Sequence, residues 1–157
     1  MCSLDEVYRK FGEVSEAAQL LETELGTMLM MLECTDAELL QNPDPEKAGR
    51  IRDQVNKKTL GRLISKLKDR GEVIEGLEDT LEEALDARNF MNHSFYRYHN
   101  FRRNTSAGCQ IMFEDLERIH SKILQAYTAV LLLSGVDLDK LVKSDGSFPL
   151  PVDRVKL

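Results

Sequence analysis

Apolar residues recur along the first part of the chain at Leu4, Val7, Phe11, Val14, Ala18, Leu21, Leu25, Met28 and Leu32, in alternating steps of three and four. Such spacing keeps side chains on one face of a helix, so it predicts a long amphipathic helix of bundle or short coiled-coil type. Gly12 and Gly26 either weaken it locally or let a partner element come close. Thr35 and Glu38 predict a capping box for a further helical turn. The run Gln41-Asn42-Pro43-Asp44-Pro45 breaks the pattern.

Residues 46–70 are basic and helix-permissive. Thr59 is placed to cap a helix carrying Leu60, Leu63, Ile64 and Leu67, stopped near Gly71. A second seam runs through Ile74, Leu77, Leu81, Ala84, position 88, Met91, Phe95 and Tyr98, again in steps of three and four. It predicts one helix lasting to about Asn100. Asn104-Thr105-Ser106 then supplies a loop and an N-cap. Met112, Leu116, Ile119, Ile123, Ala126, Tyr127, Val130 and Leu131 mark a last long helix, with Gly135 just past its end. Residues 137–142 are expected to add one turn. The pattern predicts an all-α antiparallel helical bundle over residues 1–143, with three long helices, one or two short ones and no strand. Residues 144–157 are expected to be an irregular or partner-bound tail.

Composition agrees with a soluble helical domain. The 157 residues are 42% hydrophobic and 31% charged, with four prolines and no tryptophan. No apolar run is long enough for a membrane span, and Asp5 and Glu6 sit where a secretory signal would be basic and then apolar. Cys2, Cys34 and Cys109 are odd in number and widely spaced, so neither a disulfide framework nor a zinc site is expected. A cytoplasmic setting without metal or cofactor is the expectation.

The net charge of −6 conceals strong segregation. Residues 1–46 hold 11 acids and 2 bases, residues 47–70 hold 9 bases and 2 acids, and residues 71–86 hold 7 acids and no base. Residues 87–113 hold four arginines, two histidines, six of the ten aromatics and no acid. An acidic total speaks against a protein that coats nucleic acid generally, yet a local field still steers phosphate. A basic block is commonly a solvated helix face, and aromatics at helical spacing are commonly core. Arginine mixed with aromatics also suits phosphate contact and base stacking.

No nucleotide-binding glycine loop, zinc-protease helix or nucleophile elbow is present, so kinase, dehydrogenase and common hydrolase chemistries lose their support. One position breaks the second seam: Arg88 stands where an apolar residue is due. A guanidinium there must be paired, face an interface or line a cleft, because burying it alone is costly. His93 follows, giving Arg88-Asn89-Phe90-Met91-Asn92-His93.

This R-N-x-x-x-H run, late in a long helix, resembles the signature of the HEPN superfamily, and the resemblance covers roughly residues 59–135. It implies a compact, often dimeric α-bundle and, in many members, a metal-independent endoribonuclease, some of them in toxin–antitoxin or phage-defence systems. One toxin branch carries a tyrosine two residues after the histidine, where this chain has Phe95, with Tyr96 one step further. The resemblance assigns catalysis to Arg88, Asn89 and His93. An imidazole can take the 2′-hydroxyl proton and return it, a guanidinium neutralises the phosphate, and Asn89 orients the histidine or a phosphate oxygen. The expected product is a 2′,3′-cyclic phosphate. On one straight helix Arg88 and His93 lie about 140° apart around the axis and about 7.5 Å apart along it. A homodimer with a composite site is therefore expected, flanked by Arg97, His99, Arg102, Arg103 and Tyr96 as RNA contacts.

The alternative is a non-catalytic helical interaction module, an antitoxin, scaffold or regulator that binds protein or RNA, and a cognate antitoxin is a possible partner of the toxin reading. A third reading is an effector that binds a nucleotide at the same basic cleft. An Arg88 tied to an acid of the first helix, with His93 in bulk water far from any twin chain, is the arrangement that leaves only the binding module.

Overall fold

Ser3 starts the first helix by accepting a hydrogen bond from the Glu6 backbone N–H, while the Glu6 carboxylate takes one from the Ser3 backbone N–H at 2.7 Å. In the computed structural model, which describes residues 2–71 and 74–136, this helix, α1, runs Leu4–Asp36. It buries Val7, Val14, Ala17, Ala18, Leu21, Leu25 and Leu29. Of the seam read from the sequence, Val7, Val14, Ala18, Leu21 and Leu25 are buried and Leu4 and Phe11 half-buried. Beyond Leu25 it is Leu29 that is buried, and Met28 and Leu32 are half-buried, because a straight helix turns every 3.6 residues and drifts off a 3.5 repeat. The Thr35 capping box is not formed. Its hydroxyl donates back to the Met31 carbonyl within α1, and Glu38 takes a positive φ in the turn that follows.

Asp44 caps α2 (Pro45–Asn56), accepting from the Lys47 N–H at 3.0 Å, with Pro45 at the first helical position. The short helix α3 (Leu60–Lys68) buries Leu60, Leu63, Ile64 and Leu67. Gly71, at φ +74°, ends that segment as expected.

The second seam is not one continuous helix. Ile74 and Leu77 lie in the turn before α4 (Glu78–His93), and the chain breaks at Ser94 before α5 (Phe95–His99). A single 3-10 turn, Arg102–Asn104, leads to α6 (Ser106–Leu133), capped by Thr105 through the Gly108 N–H. Gly135 follows at φ +82°. The expected turn at 137–142 and the tail 144–157 lie outside the described residues.

The architecture is an all-α helical bundle. Ser106 Oγ donates to the Cys2 carbonyl at one end, and Ser134 Oγ donates to Glu24 at the other. α1 and α6 therefore run in the same direction, as the first and third long helices of an antiparallel up-down-up bundle must. α4 does run against both, with Glu22 of α1 opposite Arg88 and Lys122 of α6 opposite Glu83. One core joins α1, α3, α4 and α6, with Val55 from α2 and Phe95 from α5. Each fully buried leucine in it contributes about 1.5–3 kcal/mol. No helix of the described residues is long and apolar enough to cross a membrane.

Candidate functional site

α4 places Arg88 and His93 differently. Leu81, Ala84, Ala87 and Met91 form its buried face. Arg88 lies beside that face, with its side chain 20% exposed. Its Nη1 donates to Asn89 Oδ1 at 3.2 Å, and its Nη2 stands 3.8 Å from Glu22 Oε2. The second contact is an ion pair too long to be a hydrogen bond.

His93 is the last residue of α4 and is exposed. Arg97 donates to its backbone carbonyl at 3.0 Å, putting a cation on the helix's negative end. The break follows at once: the Ser94 N–H still bonds the Phe90 carbonyl, but its backbone leaves the helical region at φ −132°. The structure thus joins Arg88 to Asn89 and leaves His93 apart. A single chain shows Arg88 facing an acid of α1 and His93 facing solvent.

The break also re-aims every residue after it. Phe95 is buried and Tyr96 stacks on α1, with ring centroids 5.2 Å from Phe11 and 6.3 Å from Tyr8. Burial and the neighbouring Tyr8 raise the Tyr96 phenol pKa, which Arg103 opposes. Tyr98 and Phe101 are 63% and 77% exposed. Arg97 and Arg103 are exposed as well, while Tyr98 also lines a cleft with Glu83, Asp86, Asp115 and Arg118.

His99 is not at the surface, although the sequence reading set it among the RNA contacts. It is 1% exposed, since it occupies the buried step of the run Met91, Phe95, His99. Arg102 donates to its Nδ1 at 3.0 Å. Arginine has no acceptor, so Nδ1 is unprotonated and the ring proton sits on Nε2. That Nε2 lies 3.2 Å from Asp115 Oδ2, off the line of a hydrogen bond. Burial first and Arg102 second push the His99 pKa down, keeping it neutral. Arg118 completes the chain by pairing with Asp115. Arg102 is half-buried here, over the Tyr98 ring at 5.3 Å, so it positions the loop more than it offers itself to solvent.

Sequence reasoning missed Asp115 as the partner of His99. Its position beside the α6 seam, between Met112 and Leu116, was the available signal. Gly108 was missed as well: a Cβ there would collide with the Arg102 carbonyl, so α6 and the 3-10 turn meet through bare backbone. Among the described residues no group of three or more His, Cys, Asp or Glu is placed to hold a metal ion, and Cys2, Cys34 and Cys109 are all free.

Compared with models of protein families, with curated proteins and with solved structures, the chain finds no match.

Proposed function

We propose that this chain is a HEPN-like, metal-independent endoribonuclease that works as a homodimer. The observation that carries the reading is the state of Arg88. Among the described residues its one hydrogen bond goes to Asn89, the residue beside it, and Glu22 reaches it only at 3.8 Å. A guanidinium four-fifths covered by protein and so loosely engaged retains most of its capacity to bind an anion. His93, exposed at the end of α4, supplies the proton carrier. Their separation along one helix is bridged by pairing Arg88 and His93 of two copies across a shared groove.

The chemistry follows from those groups. His93 removes the 2′-hydroxyl proton, the oxygen attacks the adjacent phosphorus, and the 5′-oxygen leaves with the proton that the His93 imidazolium returns. Arg88 and Asn89 hold the non-bridging oxygens as charge develops. The exposed Tyr98, Phe101, Arg97 and Arg103, all within ten residues of His93, are the groups offered to the flanking strand. The role in a toxin–antitoxin or phage-defence system, with a cognate antitoxin, belongs to the same proposal. Incubation with RNA in the presence of a chelator, followed by end-group analysis, tests it: 2′,3′-cyclic phosphate ends are expected.

The second reading, a helical module that binds RNA or protein without cutting, is favoured by one observation: Glu22 faces Arg88 while His93 faces solvent in the single chain. Intact RNA after incubation, with binding retained, selects it.

A further inference from the structure

The elbow between α2 and α3 carries a cleft of about 390 Å³ lined by Gln54, Lys57, Lys58, Arg62, Ser65 and Lys66. Lys57, Arg62 and Lys66 are exposed and Lys58 is half-buried. Among the described residues no carboxylate pairs with Lys57, Lys58 or Arg62, and Lys66 meets Asp69 only at 3.9 Å. Three cations therefore share the cleft without a carboxylate partner, and Lys66 adds a fourth that is only loosely paired. Like charges gathered in this way raise the local positive potential and attract an anion.

A second groove, of about 740 Å³, continues from it. Lys58 lines both, and Arg52, Asn56 and Glu22 line the second. Glu22 is the carboxylate that faces Arg88. Thr23, Thr27, Met30, Val55 and Leu63 line it as well, and Arg52 is paired with Asp53 at 3.0 Å, so a largely neutral groove runs from the basic elbow to the neighbourhood of the candidate site.

We infer that the α2–α3 elbow is a docking surface for the sugar-phosphate backbone of an RNA strand, which the second groove leads toward Arg88. This rests on the RNA reading above. The elbow cleft is lined by four cations and two small polar side chains and offers no apolar anchor. A protein partner would need such an anchor for a hot spot, whereas a phosphate backbone needs none.

The test uses an oligothymidylate of about 20 nucleotides, which lacks the 2′-hydroxyl and so reports docking without cleavage. The Lys57→Gln, Lys58→Gln, Arg62→Gln, Lys66→Gln protein is compared with the unmodified chain by fluorescence anisotropy from about 50 to 200 mM salt. Each lost phosphate contact on a single strand lowers the slope of log K against log salt by about 0.7, so a fall of about 3 and at least a tenfold weaker affinity are expected. Arg62→Gln alone lowers the slope by about 0.7. RNA left uncut alongside this binding overturns the nuclease reading and supports the docking surface. An unchanged slope and affinity in the fourfold variant, with its helical circular dichroism intact, overturns the inference. So does an unmodified chain that fails to bind the oligonucleotide at low salt. Polyglutamate binding that needs the four cations, with DNA binding that does not, assigns the elbow to an acidic protein and overturns it too.

Discussion

Glu22 of α1 faces Arg88 of α4 across 3.8 Å, with both side chains partly open to solvent. A pair this long makes no hydrogen bond, and solvent still reaches both side chains, so it contributes about 1 kcal/mol to folding. Glu22→Gln is therefore expected to lower the melting temperature only slightly. Removing the competing carboxylate is expected to tighten RNA binding roughly fivefold, the equivalent of about 1 kcal/mol. Thermal melts and binding titrations of the same variant check both halves. A large loss of stability would make Arg88 a structural residue.

His93→Ala touches an exposed side chain, so the fold should be kept. Cleavage is expected to fall by about 10²–10⁴ if the imidazole carries the proton. Unchanged cleavage removes His93 from the mechanism.

His99 makes stability depend on pH in a defined direction. Its folded pKa lies below the ordinary histidine value, so the unfolded chain binds the extra proton first. The stabilisation is fully present above the unfolded value, about 6.5, and is lost as pH falls below it toward the folded value. His120, also lowered by burial and Lys10, adds in the same sense. Melting curves between pH 8 and about 5.5 are expected to show less acid sensitivity for His99→Gln than for the unmodified chain. Equal slopes would show that burial and Arg102 do not govern the ring's titration.

Two glycines should respond oppositely to alanine. At Gly108 the added Cβ meets the Arg102 backbone carbonyl, which cannot move aside cheaply. A loss of about 1–3 kcal/mol is expected. At Gly26 the nearest atom is Val55 Cγ1 at 3.6 Å, an ordinary contact, and a gain of up to about 1 kcal/mol from helix propensity is expected. Denaturant melts of the two variants check the pair.

The sequence made α1, α6 and their buried faces legible because long helices repeat one pattern many times, and errors of a residue average out. The break at Ser94 was not legible. Ser94 is an ordinary polar residue, and the apolar spacing runs through it without a gap. That concealment moved the reading onto Tyr98, which is exposed, and off His99, which is buried. Periodicity arguments skip a polar residue at a buried step unless its partner is sought on another helix. Arg88 was conspicuous for the converse reason: a charge on an apolar seam demands an explanation, and α1 supplies part of it through Glu22.

Mixing two inactive variants tests the shared site most directly. If Arg88 of one copy works with His93 of the other, Arg88→Ala and His93→Ala proteins are each inactive. Unfolding them together and refolding at equal amounts makes half the dimers mixed, each with one intact site of two, so about a quarter of the unmodified cleavage rate returns. A mixture that stays inactive, while the unmodified chain cuts RNA and the mixed dimers are seen to form, contradicts the account.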